Sequence, residues 1–196
     1  FLLWGMGGFN EHVRGAVSLG LAGKHYQAPE LLRAIALDQW PEMLSRERQQ
    51  TGEDEFVDTV VYKTPDAMLA SAQDYRPGMR GRREHIWQAT LGFDALIFAT
   101  HPVSFSDADA RDAGWWCGNG SLPRVAQWRD ALIALYNLPH DDPLGFTHAF
   151  FPAYAFDEHV IEGGWAMARK GTGYVAFRSA RGMTLMATGN DAFREL

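Results

Sequence analysis

The chain has 196 residues, of which 46% are hydrophobic and 21% are charged, a composition that is typical of a folded globular protein and excludes wholesale disorder. Its 18 Lys and Arg stand against 24 Asp and Glu, for a formal net charge of −6, and this acidic balance argues against nucleic-acid and anionic-membrane partners. The single cysteine, Cys117, excludes an intramolecular disulfide and a cysteine-based zinc finger.

The first part of the chain has the pattern of helices. A first helix is expected from Asn10, a suitable N-cap, to Leu21. A second helix is expected after Pro29, which suits a first-turn position, and it carries an apolar stripe of Leu31, Leu32 and Ile35. No apolar run is long enough to span a bilayer.

The end of the helical part predicts the domain boundary. We expect Met43 and Leu44 to continue in a short helix after Pro41, and the polar segment Ser45–Asp58 to connect helices to a second kind of structure. This predicts a helical segment over residues 1–52 and a β domain over residues 53–196. Because the chain begins at Phe1 and not at Met, we expect it to be a piece of a longer protein with an incomplete β domain.

From Phe56 onward the pattern is that of short strands. Phe56–Tyr62 is β-branched and aromatic, and Ala67–Gln73 is the next expected strand. Tyr75–Gly78 has the residues of a turn. His85–Leu91 and Ala95–Ala99 alternate on either side of a Gly-Phe-Asp turn, which predicts a hairpin.

A second hairpin is predicted from Arg124–Gln127 and Ala131–Tyr136, because the string Asp-Ala-Leu-Ile at 94–97 recurs at 130–133. A helix over 124–137 is the alternative, since the apolar residues there also have helical spacing. The last third contains four further expected strands, Phe146–Phe151, Trp165–Arg169, Gly173–Arg178 and Met183–Ala187. Many short strands with turn residues between them predict an antiparallel β-sandwich.

The turn between two predicted strands carries a first set of candidate catalytic residues. Arg76 has the planar donors that pair with a carboxylate, while Tyr75 and His85 can donate or accept a proton. Functional side chains often project from such loops on a rigid sheet. The alternative is that Arg76 braces the turn and Tyr75 covers the edge of the core.

The densest aromatic segment is a candidate binding loop. Trp115 and Trp116 could stack on sugar faces, and the Asn119 amide could reach hydroxyls. The alternative is that the two rings close one end of the sandwich. Cys117 has no neighbouring His, so we expect an inert buried thiol and not a nucleophile.

Three residues have side chains that can bind a divalent metal, His148, Asp157 and His159. Their spacing matches no zinc template, so ordinary hydrogen-bonded sheet residues are the favoured interpretation and we expect no cofactor. The segment His140-Asp141-Asp142 is expected to be a solvated turn.

Several stretches resemble parts of heparinase II/III-like and chondroitin-lyase-like enzymes, in which an α/α-toroid precedes a β-sandwich. They are Tyr62–Gly78, His85–Leu91, Gly118–Arg124 and Phe146–Pro152. The resemblance implies that residues 1–52 are the last part of a toroid and that a supersandwich-like domain follows. It also implies a secreted or extracytoplasmic protein whose partners are a polysaccharide or oligosaccharide substrate and the missing N-terminal domain.

The activity implied by the resemblance is that of a polysaccharide lyase, which cleaves uronic-acid-containing glycans by β-elimination. Such a reaction needs a group that neutralises the sugar carboxylate, for which the candidates are Arg76, Asn119 and Arg124. It also needs groups that transfer protons, for which the candidates are Tyr75, His85 and His148.

Two alternatives remain open. One is a non-catalytic β-sandwich that binds glycan or has a structural role. The other is an accessory domain of a glycoside hydrolase, although Asp157 and Glu158 are adjacent and would point to opposite faces of a strand, which suits a catalytic carboxylate pair poorly.

Overall fold

The computed structural model describes residues 27–38, 41–53, 55–80, 85–102 and 120–185. In these ranges the chain forms one α-helix, α1 (Glu30–Leu37), a short 3₁₀-helix at Ala153–Ala155, and strands β1 to β11, so the fold is mainly β. In chain order the strands are Met43–Gln50, Phe56–Lys63, Met68–Gln73, Trp87–Thr90, Leu96–Thr100, Arg124–Trp128, Ala131–Leu135, His148–Phe150, Glu158–Glu162, Trp165–Lys170 and Gly173–Arg178.

The first layer is a six-stranded antiparallel sheet with the order β1-β2-β3-β4-β5-β8. Its first five strands follow one another as a meander, and the predicted hairpin between β4 and β5 is confirmed, with Ala89 opposite Ile97. Strand β8 then joins the free edge of β5, where His148 lies opposite Thr100.

The second layer consists of two smaller antiparallel units. Strands β6 and β7 form a hairpin in which Trp128 lies opposite Ala131, so the alternative of a helix over 124–137 is wrong. The two-residue turn places Arg129 at φ 52°, the positive value that a tight hairpin turn of the right twist requires. Strands β9, β10 and β11 form a three-stranded meander with β10 in the centre.

The core lies between these layers, which confirms the predicted sandwich-like arrangement of antiparallel sheets. The first layer contributes Trp87, Ala89 and Ile97, and the second contributes Val125 and small residues of β10, which are Ala166 and Ala168. Small side chains on β10 let the two sheets approach closely. Phe151 and Phe156, which flank the 3₁₀-helix, fill the space beside them.

Helix α1 confirms the predicted helix after Pro29, which is its N-cap residue. Its apolar stripe is exposed, with Leu31 70% and Ile35 60% accessible. Across the described part of the chain, no helix combines the length and the hydropathy that a membrane crossing requires. The helix expected from Asn10 to Leu21 lies outside the described residues.

The prediction of a short helix and a polar connection is wrong for residues Met43–Gln50, which form strand β1. This strand pairs along its whole length with β2, from Met43 opposite Lys63 to Gln50 opposite Phe56. Nearly all of its side chains are exposed because it lies at the sheet edge, and it therefore lacks the apolar alternation by which a strand is recognised. The sheet thus begins before the domain boundary predicted at residue 53.

Two further differences concern the last third of the chain. Strand β9, Glu158–Glu162, was not predicted. Only one of its five side chains is partly buried, and both of its ends are acidic. The strand predicted over Met183–Ala187 is not formed by Met183–Leu185, which have no regular structure. Met183 instead packs against the core as part of an irregular segment.

Candidate functional site

The turn that follows β3 has an unusual backbone. Asp74 and Arg76 have φ values of 59° and 42°, and Gly78 has a φ of 77°. A non-glycine residue in this left-handed region costs roughly 1–2 kcal/mol, and such residues cluster at functional sites. Two backbone hydrogen bonds hold the turn against the segment before β6, from Gly78 N to Leu122 O at 2.7 Å and from Leu122 N to Met79 O at 2.9 Å.

The turn brings two predicted catalytic residues into direct contact. Arg76 Nη2 donates to Tyr75 Oη at 2.6 Å, and its guanidinium carbon lies 4.5 Å from the centroid of the Tyr75 ring. Tyr75 also packs against the hydrophobic core. The core therefore fixes the phenol, and the phenol in turn fixes the guanidinium beside it.

Arg124 lies beside the same turn. Its Nη1 is 2.7 Å from Asp74 Oδ1, and the two side chains are 64% and 61% exposed. An exposed ion pair of this kind is worth about 0–1 kcal/mol, so a stronger anionic ligand can compete for Arg124. The structure thus collects three predicted site residues, Tyr75, Arg76 and Arg124, at one end of β3.

His85 has a different neighbourhood. Its ring stacks on Phe98, with centroids 3.9 Å apart and an interplanar angle of 18°. Phe98 belongs to a second apolar cluster with Leu96, Phe146 and Phe150, which lies on the face of β5 that points away from the sandwich core. His85 therefore belongs to an aromatic row, because Phe98 stacks in turn on Phe150 at 5.1 Å.

His148 is attached to the same face of β5. Its Nε2 lies 2.6 Å from Thr100 Oγ1, and Thr100 is fully buried. Tyr75, Arg76 and Arg124 thus lie at the turn, and His85 and His148 contact Phe98 and Thr100 of β5.

The predicted sugar-binding residues Trp115, Trp116 and Asn119 lie outside the described residues, and their role stays a prediction. The three residues considered for a metal have separate partners. Asp157 Oδ2 accepts from Gly171 N at 2.7 Å, His159 meets the Phe151 ring edge-on, and His148 contacts Thr100. Over the ranges that the structure describes, no three metal-ligating side chains come together.

A buried His–Asp pair was missed by the sequence analysis, which placed Asp142 in a solvated turn. His101 Nε2 lies 2.9 Å from Asp142 Oδ1, and His101 Nδ1 lies 2.8 Å from Phe146 O. The Asp142 carboxylate also accepts from the backbone N–H groups of Gly145 and Leu144. The Gly145 N–H, and then His101, hold the pKa of that carboxyl below its usual value.

Both ring nitrogens of His101 are therefore engaged, one with a carboxylate oxygen and the other with a backbone carbonyl oxygen. The pair is a clamp on the loop between β7 and β8 and not a catalytic dyad, because His101 is 2% exposed. The residue spacing Asp-x-x-Gly, which is typical of a turn with a side-chain acceptor, was the available signal in the sequence.

A cavity of about 350 Å³ lies between the two layers. Its walls include Trp87, Tyr136 and Phe177, and the Tyr136 hydroxyl donates to Ala99 O at 3.0 Å. Burial raises the pKa of the Tyr136 phenol. The lining is largely apolar and does not contain Tyr75 or Arg76, so it is separate from the turn site.

The face of β9, β10 and β11 that points away from the core carries exposed aromatic residues. In the central strand Trp165, Met167 and Arg169 alternate with the buried Ala166 and Ala168. Tyr174 on β11 lies opposite Arg169 and is 72% exposed. Strands β10 and β11 were predicted from the sequence, whereas the exposed residues on their outer face were not among the predicted site residues.

Comparison of the chain with protein-family models, curated proteins and solved structures gives no significant match in any of the three.

Proposed function

We propose that this chain is the β-sandwich part of a carbohydrate-active enzyme that acts by β-elimination on uronic-acid-containing glycans, with Tyr75 and Arg76 in its active site. The observation that carries the proposal is the 2.6 Å contact between Arg76 Nη2 and Tyr75 Oη. It combines a cation for a sugar carboxylate with a phenol for proton transfer, the two kinds of group that the reaction needs at one place.

Arg76 acts on the carboxylate of the uronic acid. Removal of the C5 proton leaves negative charge that spreads into this carboxylate, and a fixed guanidinium stabilises that charge without reorganisation. Arg124 supplies a second guanidinium at the rim of the same turn once its exposed pair with Asp74 opens. Arg76 has planar donors that match a carboxylate bidentately.

Tyr75 acts on the leaving oxygen. A base from the N-terminal part of the protein takes the C5 proton, and the electron pair of that bond forms the C4–C5 double bond. The C4–O bond breaks, and its oxygen receives the phenolic proton of Tyr75. The core packing of Tyr75 supports this role because it holds the phenol in one position.

His85 and His148, which were candidates for proton transfer, have a structural place in this proposal. The stacking of His85 on Phe98 and the contact of His148 with Thr100 support that assignment. The competing function is a non-catalytic sandwich with a structural role, which the ion pair between Arg124 and Asp74 favours, because it engages one of the proposed cations within the protein.

The test is the absorbance of the unsaturated product formed from uronate polymers by the full-length protein. We expect Arg76→Ala and Tyr75→Phe each to reduce turnover by at least about a hundredfold, within the range that general acid–base catalysis contributes. Tyr75→Phe keeps the ring in the core, so a loss of turnover in this variant would not reflect unfolding. Arg181→Ala is the matched control, because Arg181 is an exposed arginine in the turn after β11. We expect this variant to keep the turnover of the wild type.

Unchanged turnover in Tyr75→Phe and Arg76→Ala would contradict the assignment of these residues. Absence of unsaturated product from every uronate polymer would instead favour the non-catalytic function.

A further inference from the structure

The outer face of the three-stranded sheet is organised in three rows by the strand register. The first row is Glu162, Trp165 and Arg178, the second is Val160, Met167 and Ala176, and the third is Glu158, Arg169 and Tyr174. An apolar row therefore lies between two rows that each combine one aromatic ring with charged groups. A shallow depression of about 460 Å³ covers the second and third rows.

The two aromatic rings stand at opposite ends of this face. Trp165 is 41% and Tyr174 is 72% exposed. They are four residues apart along the strand direction and one strand apart sideways, which gives a separation of roughly 14 Å from ordinary sheet spacings. Rings at this separation can contact two different units of one extended ligand.

The two arginines on the face differ in whether an acidic group of the protein pairs with them. Arg169 is held by Glu158 at 3.0 Å and by Gly171 O at 2.8 Å, so it is part of the frame. Arg178 lies 5.7 Å from the Trp165 ring centroid, and within the described residues it takes part in no ion pair. Beside the exposed Trp165 ring there is thus a guanidinium that can bind an anionic group of the same ligand.

The size of the face argues against a protein partner. Three strands of about six residues give an area of about 300 Å² from sheet spacings, whereas a stable protein interface needs about 800 Å² on each side. Charged side chains also occupy both outer rows. A thin, extended ligand with apolar ring faces and polar edges fits these dimensions better than a second copy of the chain.

From these observations we infer that the outer face of β9–β11 is a binding platform for an extended uronate-containing glycan, with one sugar on Trp165, its carboxylate on Arg178, and a later sugar on Tyr174. The inference rests on the proposed function in that both take a glycan as ligand. It adds a binding surface distinct from the turn at Tyr75 and Arg76, and this surface requires no catalysis.

The experiment measures binding of an alginate hexasaccharide and of cellohexaose to the full-length protein by isothermal titration calorimetry. We expect Trp165→Ala and Tyr174→Ala each to weaken binding of the alginate hexasaccharide about tenfold, which corresponds to about 1.4 kcal/mol. Arg178→Gln should weaken the alginate hexasaccharide and leave cellohexaose binding unchanged, because the neutral ligand has no carboxylate. Trp128→Ala, which removes the 62% exposed indole of the β6–β7 hairpin, is the control and should bind as the wild type does.

Wild-type affinity in Trp165→Ala and Tyr174→Ala, equal loss in Trp128→Ala, or no binding of the alginate hexasaccharide at all would each overturn the inference. A circular dichroism spectrum confirms that each variant is folded, and Tyr174→Ser replaces Tyr174→Ala if the latter is not. Arg76→Ala should keep this binding. If Trp165→Ala and Tyr174→Ala bind the glycan normally while Arg76→Ala loses turnover, the platform is refuted and the proposed function stands. If the two variants lose binding while Arg76→Ala keeps full turnover, the platform stands and the proposed function is refuted.

Discussion

At the scale of single residues, the contact between His101 and Asp142 shows that a loop of this fold is held by buried polar groups. Asp142 gathers a ring nitrogen and two backbone N–H groups, so its charge is compensated from three sides. The sequence correctly indicated a turn at His140-Asp141-Asp142. It could not indicate burial, because the partner lies 41 residues away.

The lowered pKa of Asp142 predicts a dependence of stability on pH. A carboxyl whose pKa is lower in the folded state stabilises the fold above its unfolded value, here 3.8, and loses that contribution as pH falls through the folded value. Asp142→Asn removes the ionisation but keeps the shape. We expect the variant to be less stable than the wild type at about pH 6 and the difference to shrink below the unfolded pKa. Urea unfolding at both pH values measures it, and an equal difference at both would contradict the prediction.

Gly173 gives a second prediction at this scale. A Cβ at this position would lie 2.3 Å from the backbone oxygen of Asp66, and a backbone atom cannot move aside as a flexible side chain would. We expect Gly173→Ala to lower the free energy of unfolding by about 1–3 kcal/mol, the usual effect of overpacking. Gly92→Ala is the control, since its Cβ would meet nothing closer than 3.7 Å. Equal stability of the two variants would show that the approach of Asp66 is not tight.

At the scale of elements, the success of the sequence analysis followed the burial of each strand. Strands β6 and β10 have one face in the core, and buried and exposed side chains alternate along them. The exposed edge strand β1 and the acidic strand β9 have little apolar alternation, so local pattern could not find them. Backbone pairing with a neighbour, and not side-chain burial, makes these two segments extended.

The attachment of the β6–β7 hairpin to the first sheet depends on Gln127. Its Nε2 donates to Leu69 O on β3 and to Arg129 O in the hairpin turn, both at 2.9 Å. We expect Gln127→Ala to lower the free energy of unfolding by about 1–3 kcal/mol, because it removes both hydrogen bonds that this buried amide donates. Gln49→Ala, on the exposed strand β1, should have almost no effect. Denaturant unfolding compares the two, and a similar loss in both would refute the role of Gln127.

At the scale of the whole molecule, the sequence predicted the layered antiparallel architecture but not the contacts between its layers. The turn that carries Tyr75 and Arg76 was predicted because turn residues are recognisable locally. The approach of Arg124 to Asp74 joins segments 50 residues apart, and no periodicity records such a distance. Part of the outer face of β9–β11 could be predicted from the sequence, since the alternation of Trp165, Met167 and Arg169 places all three on one side of a strand.

The position of β8 has a kinetic consequence. Every other strand of the six-stranded sheet pairs with its neighbour in sequence, whereas β8 closes onto β5 across a span of 48 residues between Thr100 and His148. Non-local pairing of this kind must bring distant segments together before any stabilisation is gained, and it slows folding. We therefore expect the β1–β5 and β9–β11 meanders to assemble first and the docking of β8 to set the rate at which the native state is reached.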